Sequence, residues 1–422
     1  MKFNKHVLKN GLRVVTVPMV DNPSVTMLVM VETGSKYEDK NTNGLSHFLE
    51  HMVFKGTKNR PNASDISKEL DSIGSHYNAF TSQEYTGYYA KADARHTDKI
   101  IDVISDMYLN PIFDSKEIEK EKGVIIEELR MYKDLPQRHV HDLIAQLLHG
   151  NTPAGWPIIG TEENIKSFNQ NSFKKYRQEH YVSKATTVVV AGSINEVEIV
   201  SKIEKIFSKM SKESNKPKLK VIEKQTKPAI KTEFKETDQT HIVIGFRAFD
   251  VQDKRAPIMK ALIGVLSGGM SSRLFYKMRD QLGICYYIRA EYDAYTDHGA
   301  VIVSAGLDNS RVKDGIVGIL EECERLKTEL IPEIELKKVK DYISGTTMLS
   351  LETSDSRAEY CGYEEILKGK IESPDEMVKK INSVTATQIR DLAKEIFINK
   401  NLNLALIGKS KSEDISPYFK LK

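Results

Sequence analysis

The chain is poor in cysteine and has no long apolar run, and each absence excludes a class of protein. Only three cysteines, Cys285, Cys323 and Cys361, stand in 422 residues, with no Cys-x-x-Cys pair. Such a sparse, odd set argues against a disulfide framework and against a cysteine zinc site. No uninterrupted apolar stretch approaches the roughly 18 residues that mark a membrane-spanning helix, which argues against membrane insertion. A charge excess is missing too: 62 Lys and Arg against 59 Asp and Glu leave +3, so nothing points to nucleic acid as a partner. The opening residues, Met1-Lys2-Phe3-Asn4-Lys5-His6, lack the long apolar region of a secretory signal, and a cytoplasmic protein is the expectation.

Hydrophobic residues make up 40 % of the chain and charged residues 29 %. That is enough apolar surface to offset chain entropy, and the length suggests two to three folded domains. Asn10-Gly11 before an alternating apolar run predicts a hairpin feeding a strand, and 24–31 predicts a second strand. Helices are expected near 64–73, over 98–109 up to Asn110-Pro111, and over 116–132 behind the capping pair Asp114-Ser115. The stretch 76–91 between the first two reads as strand.

Composition changes at 208–227, where Lys, Ser, Asn, Glu and Pro displace apolar residues. We read this segment as a solvated linker between two halves that look alike. In the first half a helix at 169–180 precedes the strand 187–191 and Gly192; in the second a helix at 385–397 precedes the strand 402–407 and Gly408. The expectation is two copies of one α+β unit: domain 1–208, linker 209–228, domain 229–422.

The chemistry concentrates at His47-Phe48-Leu49-Glu50-His51. Residues four apart share a helix face, so both imidazoles can reach one metal ion, and Glu50 projects from the same side. Zinc suits two neutral imidazoles plus a carboxylate, with one position open to water, whose pKa it lowers to about 7. Glu50 is then placed as general base. Gly44 offers a flexible entry to this helix, and Leu45, Phe48, Leu49 and Met52 can bury it. A third ligand must come from elsewhere, and Glu121, Glu127 and Glu128 follow on the 116–132 helix. Glu121 and Glu128, two turns apart, share a face, while Glu127 points about 100° away. Spacing alone leaves Glu127 and Glu128 both open.

The run from Gly44 to Thr57 resembles the pitrilysin-type metallopeptidases, the inverzincins, in the branch of mitochondrial processing peptidase and its bacterial relatives. Asn78-Ala79-Phe80-Thr81-Ser82, Gly123-Val124-Ile125-Ile126-Glu127-Glu128 and Pro157-Ile158-Ile159-Gly160-Thr161 fall in the family's order, so the likeness covers essentially the whole chain. It implies two homologous α/β sandwich domains, each an antiparallel-rich sheet packed with helices, forming one half of a clamshell. It implies one Zn2+ per chain on His47, His51 and Glu128, with Glu50 as general base and Glu121 as an auxiliary acid. Asn78, Ala79 and Phe80 become an edge strand that holds an extended peptide, and Arg279 and Tyr286 bind the peptide carbonyl. The second half has no His-x-x-Glu-His, so the resemblance implies a homodimer, with Arg279 and Tyr286 of one chain serving the zinc of the other. Thr152 stands where relatives often carry a histidine, which bears on specificity rather than on the metal. The activity implied is a zinc endopeptidase on unfolded peptides or presequence-like segments. The alternatives are a non-catalytic subunit of the family or the catalytic subunit of a hetero-oligomer.

Overall fold

The computed structural model describes all 422 residues. They form two compact units, treated separately below: Met1–Arg130 with Trp156–Leu219 and Ser350–Ser373, and Met131–Gly155 with Lys220–Leu349 and Pro374–Lys422.

In the first unit, six strands form one sheet: β1 (Asn4–Val7), β2 (Arg13–Pro18), β3 (Ser24–Val31), β4 (His76–Thr81), β5 (Thr86–Asp93) and β6 (Thr186–Gly192). Their order is β1-β2-β6-β3-β5-β4. Only β2 and β6 run parallel. Central β6 is buried at every residue, which its β-branched run of Thr and Val permits. β4 closes one edge and pairs only with β5.

In the second unit the sheet comprises β7 (Ala229–Phe234), β8 (Gln239–Ala248), β9 (Cys285–Ala294), β10 (Gly299–Asp308) and β11 (Leu402–Gly408), in the order β7-β11-β8-β10-β9. With β1 set aside, the two sheets match strand for strand, including the single parallel pair, here β7 with β11. The duplication read from the sequence is therefore a duplication of topology, and the α+β class holds.

The boundary between units does not follow the linker alone. Helix Pro136–His149, from the first half, packs on β8 and β11 through Val140, Leu143, Ile144 and Leu148. Helix Ser354–Lys368, from the second half, packs on β3 and β6 through Ala358, Cys361 and Ile366. Each repeat thus supplies the helix that covers the other repeat's sheet, which a linear division at 208–229 does not capture. Pro136 serves this turn-off: it ends the preceding helix and is the first residue of the next, where its missing N–H costs nothing.

The helices expected from the sequence appear at Ala63–Asp71, Thr97–Leu109 and Ser115–Asp134. Segment 208–227 lacks helix and strand, as expected. It is not a purely solvated linker, however. Asn215 Nδ2 donates to Glu32 O at 2.9 Å, Lys218 pairs with the buried Glu84 at 3.1 Å, and Gln225 Nε2 donates to Leu402 O at 3.0 Å. Its polar side chains satisfy buried partners instead of water. No helix is long and apolar enough to cross a membrane.

The exchanged helix makes a prediction. A fragment of residues 1–219 lacks Ser354–Lys368 and leaves Val15, Val17, Leu28, Met30 and Val189 uncovered. Burying each such side chain is worth about 1.5–3 kcal/mol, comparable in sum to a domain's whole stability. The fragment should bind a hydrophobic dye and lack a cooperative thermal transition. Adding a peptide spanning Ser350–Ser373 should suppress the dye signal.

Candidate metal centre

Helix Leu45–Val53 carries the motif, and its position is set at its N-terminus. Leu45, Phe48, Leu49 and Met52 are all buried. Phe48 meets the rings of Phe173 and Phe168 at 5.0 and 6.2 Å. Gly44 is not a flexible entry, as the sequence suggested, but a close contact. It has φ 99°, and a Cβ there would sit 2.7 Å from Ile159 O. Gly160 answers it with φ 84°, and a Cβ there would lie 2.6 Å from Gly44 Cα. The motif helix and the Pro157–Gly160 run therefore approach backbone to backbone, which only glycine permits on either side. Asn43 Nδ2 donates to Pro157 O and Asn164 Nδ2 donates to Asn43 O, both at 3.0 Å.

Beneath this anchor, Glu38 is buried and its carboxylate meets the first turn of the helix. Oε1 accepts the Ser46 N–H at 2.6 Å; Oε2 accepts the Gly44 N–H at 2.9 Å and Asn43 Nδ2 at 3.2 Å. Burial pushes this carboxyl up to about 7, against the pull of the Ser46, Gly44 and Asn43 hydrogen bonds.

At the other end of the motif, helix geometry brings His47 and His51 together with ring centroids 4.7 Å apart. Glu128, on helix Ser115–Asp134, places Oε2 3.8 Å from His47 Nε2 and 3.6 Å from His51 Nε2. One ligand atom from each of the three lies within 4.8 Å of the others. A tetrahedral ion with bonds near 2.1 Å sets its ligands about 3.4 Å apart, so small rotamer adjustments close the shell. Burial lowers the pKa of His47 to about 4, helped by His51 and opposed by Glu128, so this imidazole is neutral and ready to ligate. Its Nδ1 is buried without a hydrogen-bond partner.

His51 is oriented from behind. Its Nδ1 lies 2.9 Å from Glu121 Oε1, which leaves Nε2 facing the cluster. Burial raises the Glu121 carboxyl, but the His51 and Lys55 hydrogen bonds outweigh it and hold the group below the usual range. Lys55 Nζ sits 2.6 Å from its second oxygen. The two glutamates left open by spacing differ in place: Glu127 turns outward to Arg130, at 2.7 Å, while Glu128 faces the imidazoles.

Glu50 Oε2 accepts a hydrogen bond from Thr81 Oγ1 at 2.5 Å. Burial raises its pKa, the Thr81 hydrogen bond and His51 lower it, and Glu128 raises it; the net shift is upward. Thr81 ends edge strand β4, which also carries Asn78, Ala79 and Phe80. Asn78 is exposed, and its Oδ1 accepts the Ala79 N–H at 2.9 Å. Arg279 and Tyr286 belong to the second unit. The Arg279 guanidinium lies 5.0 Å from the Phe275 ring and 5.8 Å from the Tyr286 ring, with no carboxylate partner, and Tyr286 is 74 % exposed at the start of β9. Thr152 Oγ1 donates to His149 O. Sequence reasoning assigned no role to Glu38 or Lys55, and it read Thr81 only as part of the edge strand Asn78 to Thr81, not as the partner of Glu50.

The sequence pattern of the insulinase family, peptidase family M16, matches residues 13–162, which hold the whole cluster. That of the peptidase M16 inactive domain matches residues 167–343. An uncharacterized zinc protease of Bacillus subtilis is 36 % identical over 411 residues, covering 97 % of this chain and 98 % of that protein. One from Streptomyces coelicolor is 30 % identical, covering 97 % and 90 %.

The chain belongs to peptidase family M16.

A protease structure from Helicobacter pylori superposes with a TM-score of 0.90 at 22 % identity, covering 96 % of this chain and 99 % of that one. A peptidase M16 inactive domain from Pseudomonas fluorescens gives 0.89 at 13 % identity, covering 97 % and 99 %. At these identities the two likenesses bear on the M16 fold. The second repeat, onto which most of the inactive-domain pattern at 167–343 falls, carries no His-x-x-Glu-His.

The glycine contact is testable. Gly44→Ala forces a side chain into a left-handed position, at a cost of about 1–2 kcal/mol, and drives its Cβ into the Ile159 carbonyl. The variant should melt several degrees lower and bind metal more weakly than wild type, read by calorimetry and chelator competition.

Proposed function

We propose that this M16 member is a zinc-dependent endopeptidase that hydrolyses unfolded peptides or presequence-like segments. The convergence of His47, His51 and Glu128, with Glu50 held beside them, carries this reading. The donor set of two imidazoles and one carboxylate suits Zn2+, one per chain, and leaves a ligand position for chemistry. When bound, the ion polarises the scissile carbonyl and makes water nucleophilic near neutral pH.

The chain's own residues do the rest. Thr81 fixes Glu50 Oε2, which leaves Oε1 to take the proton from the attacking water and pass it to the departing amine. Glu121 holds the His51 ring with Nε2 toward the ion, and Lys55 keeps Glu121 ionised. β4 has one unpaired edge, and an extended peptide added there would run past Thr81 and so past Glu50. Strand addition selects chains that can be extended, which favours unfolded segments over folded proteins. Arg279, a guanidinium without an acidic partner beside an exposed tyrosine, is suited to hold a peptide carbonyl. One metal site per duplicated chain fits a homodimer acting as a closed chamber, in the manner of the mitochondrial-processing-peptidase-like branch; a hetero-oligomer with a second subunit is the other assembly.

Glu50→Gln should keep about one zinc per chain by elemental analysis and lose about 10²–10⁴-fold in turnover of an unfolded-peptide library. His51→Ala should lose both zinc and cleavage. Normal cleavage by Glu50→Gln would end the mechanism, and stoichiometric zinc in His51→Ala would end the ligand assignment. The purified chain should run as a dimer in light scattering; a monomer that cleaves only after addition of a second polypeptide would replace the homodimer with the hetero-oligomer.

A further inference from the structure

The motif helix starts without a side-chain cap. Its N-cap residue is Gly44, which has no side chain to receive the orphaned amides of the first turn. Glu38 supplies that cap from outside the helix. Its two oxygens take the Gly44 and Ser46 N–H groups and the Asn43 amide. The carboxylate is 3 % exposed and no cation pairs with it; the donors at the helix N-terminus are its counter-charge. Burying a carboxylate without a cation is costly, and a neutral residue would fill the space more cheaply. What the carboxyl group adds is direction: two acceptor oxygens set at one end of a helix of nine residues fix both its axial position and its rotation.

The same short segment grips the strand opposite. Glu38 directly follows the turn Ser35–Tyr37, whose Ser35 and Lys36 N–H groups donate to Ser82 O at 3.2 Å and Gln83 O at 2.8 Å. Lys36, itself buried, pairs with the buried Glu84 at 2.8 Å. Gly34 allows this approach, since a Cβ there would lie 2.1 Å from Ser82 O. Residues 82–84 continue directly from Thr81, the partner of Glu50. One stretch of chain, 34–38, therefore holds the helix that carries Glu50 and the strand end that carries Thr81.

We propose that Glu38 is a positioning residue for the metal centre: its carboxylate, acting through the first turn of helix Leu45–Val53, sets His47 against Glu128 and Glu50 against Thr81. It touches neither metal nor peptide. The activity arm of the test rests on the peptidase reading above; the metal arm does not.

The test compares full-length wild type, Glu38→Gln and Glu38→Asp, each loaded with cobalt(II) as a spectroscopic probe. Glutamine keeps the size but replaces one acceptor with a donor facing the helix amides. Aspartate keeps the charge but is one methylene short. Both should bind cobalt about tenfold or more weakly than wild type and show a shifted visible absorption, with aspartate nearer wild type. On a fluorogenic peptide, turnover should fall about tenfold or more with KM changed less than twofold. Cobalt affinity, absorption and turnover all equal to wild type in both variants would overturn the proposal. So would a lowered melting temperature with unchanged cobalt affinity and absorption, which is the mark of a cap that only stabilises. Should glutamine prevent folding, aspartate decides by the same readouts. Should wild type bind cobalt but cleave no peptide, the peptidase reading fails, and cobalt affinity and absorption alone still decide the role of Glu38.

Discussion

The metal centre depends on where one short helix begins. His47, Glu50 and His51 are fixed relative to each other by helical geometry, but nothing within the helix fixes them relative to Glu128 or Thr81. That task is shared by the Glu38 carboxyl group at the first turn and by the contact between Gly44 and Gly160, where two backbones meet without side chains between them. The amides of Asn43 and Asn164 lock the pair, and Phe48 packs the far side against Phe168 and Phe173. The Pro-Ile-Ile-Gly run is thus part of the metal centre without reaching it. Its glycine sets the depth at which the helix sits.

Along the motif helix, four carboxylates of similar chemistry are separated by environment. Glu121 has a lysine and an imidazole as partners and stays ionised as an orienting group. Glu128 places one carboxylate oxygen 3.8 and 3.6 Å from the two imidazole Nε2 atoms. Glu50 is desolvated and its pKa raised, with one oxygen held by the Thr81 hydroxyl. Glu38 meets the backbone amides of Gly44 and Ser46 and the side-chain amide of Asn43. Burial and partners separate the four where residue type does not, and the proposed division of roles draws on that difference.

Much of this was legible in the sequence. The motif helix, the long glutamate helix and the repeated helix–strand order show through as local periodicity, and the structure has them within a residue or two. The choice between Glu127 and Glu128 was not legible from spacing, because adjacent residues on one helix differ only by rotation until a neighbour is in place. Glu38 was invisible for a different reason: a cap delivered from outside the helix has no fixed offset, unlike the side-chain caps at Asn169 and Thr385. The reading of Gly44 as flexible failed because a glycine in a turn and a glycine in a tight backbone contact look the same in a sequence. The exchange of helices Pro136–His149 and Ser354–Lys368 was hidden because both have ordinary amphipathic patterns, and a pattern says that a face is buried but not against which sheet.

That exchange has a consequence for how such a chain could arise. A single repeat, taken alone, owns a sheet that lacks its cover and a helix that lacks its sheet. Two copies of it complete one another reciprocally, as in a domain-swapped dimer. The present chain holds that arrangement inside one polypeptide, so joining two such repeats would require no new packing solution. Joining two such repeats in one chain replaces an encounter between separate molecules by one at the fixed, high effective concentration of a tether, a connection made here by 208–227. With its partner helix guaranteed in this way, the second repeat covers the first without carrying a His-x-x-Glu-His of its own.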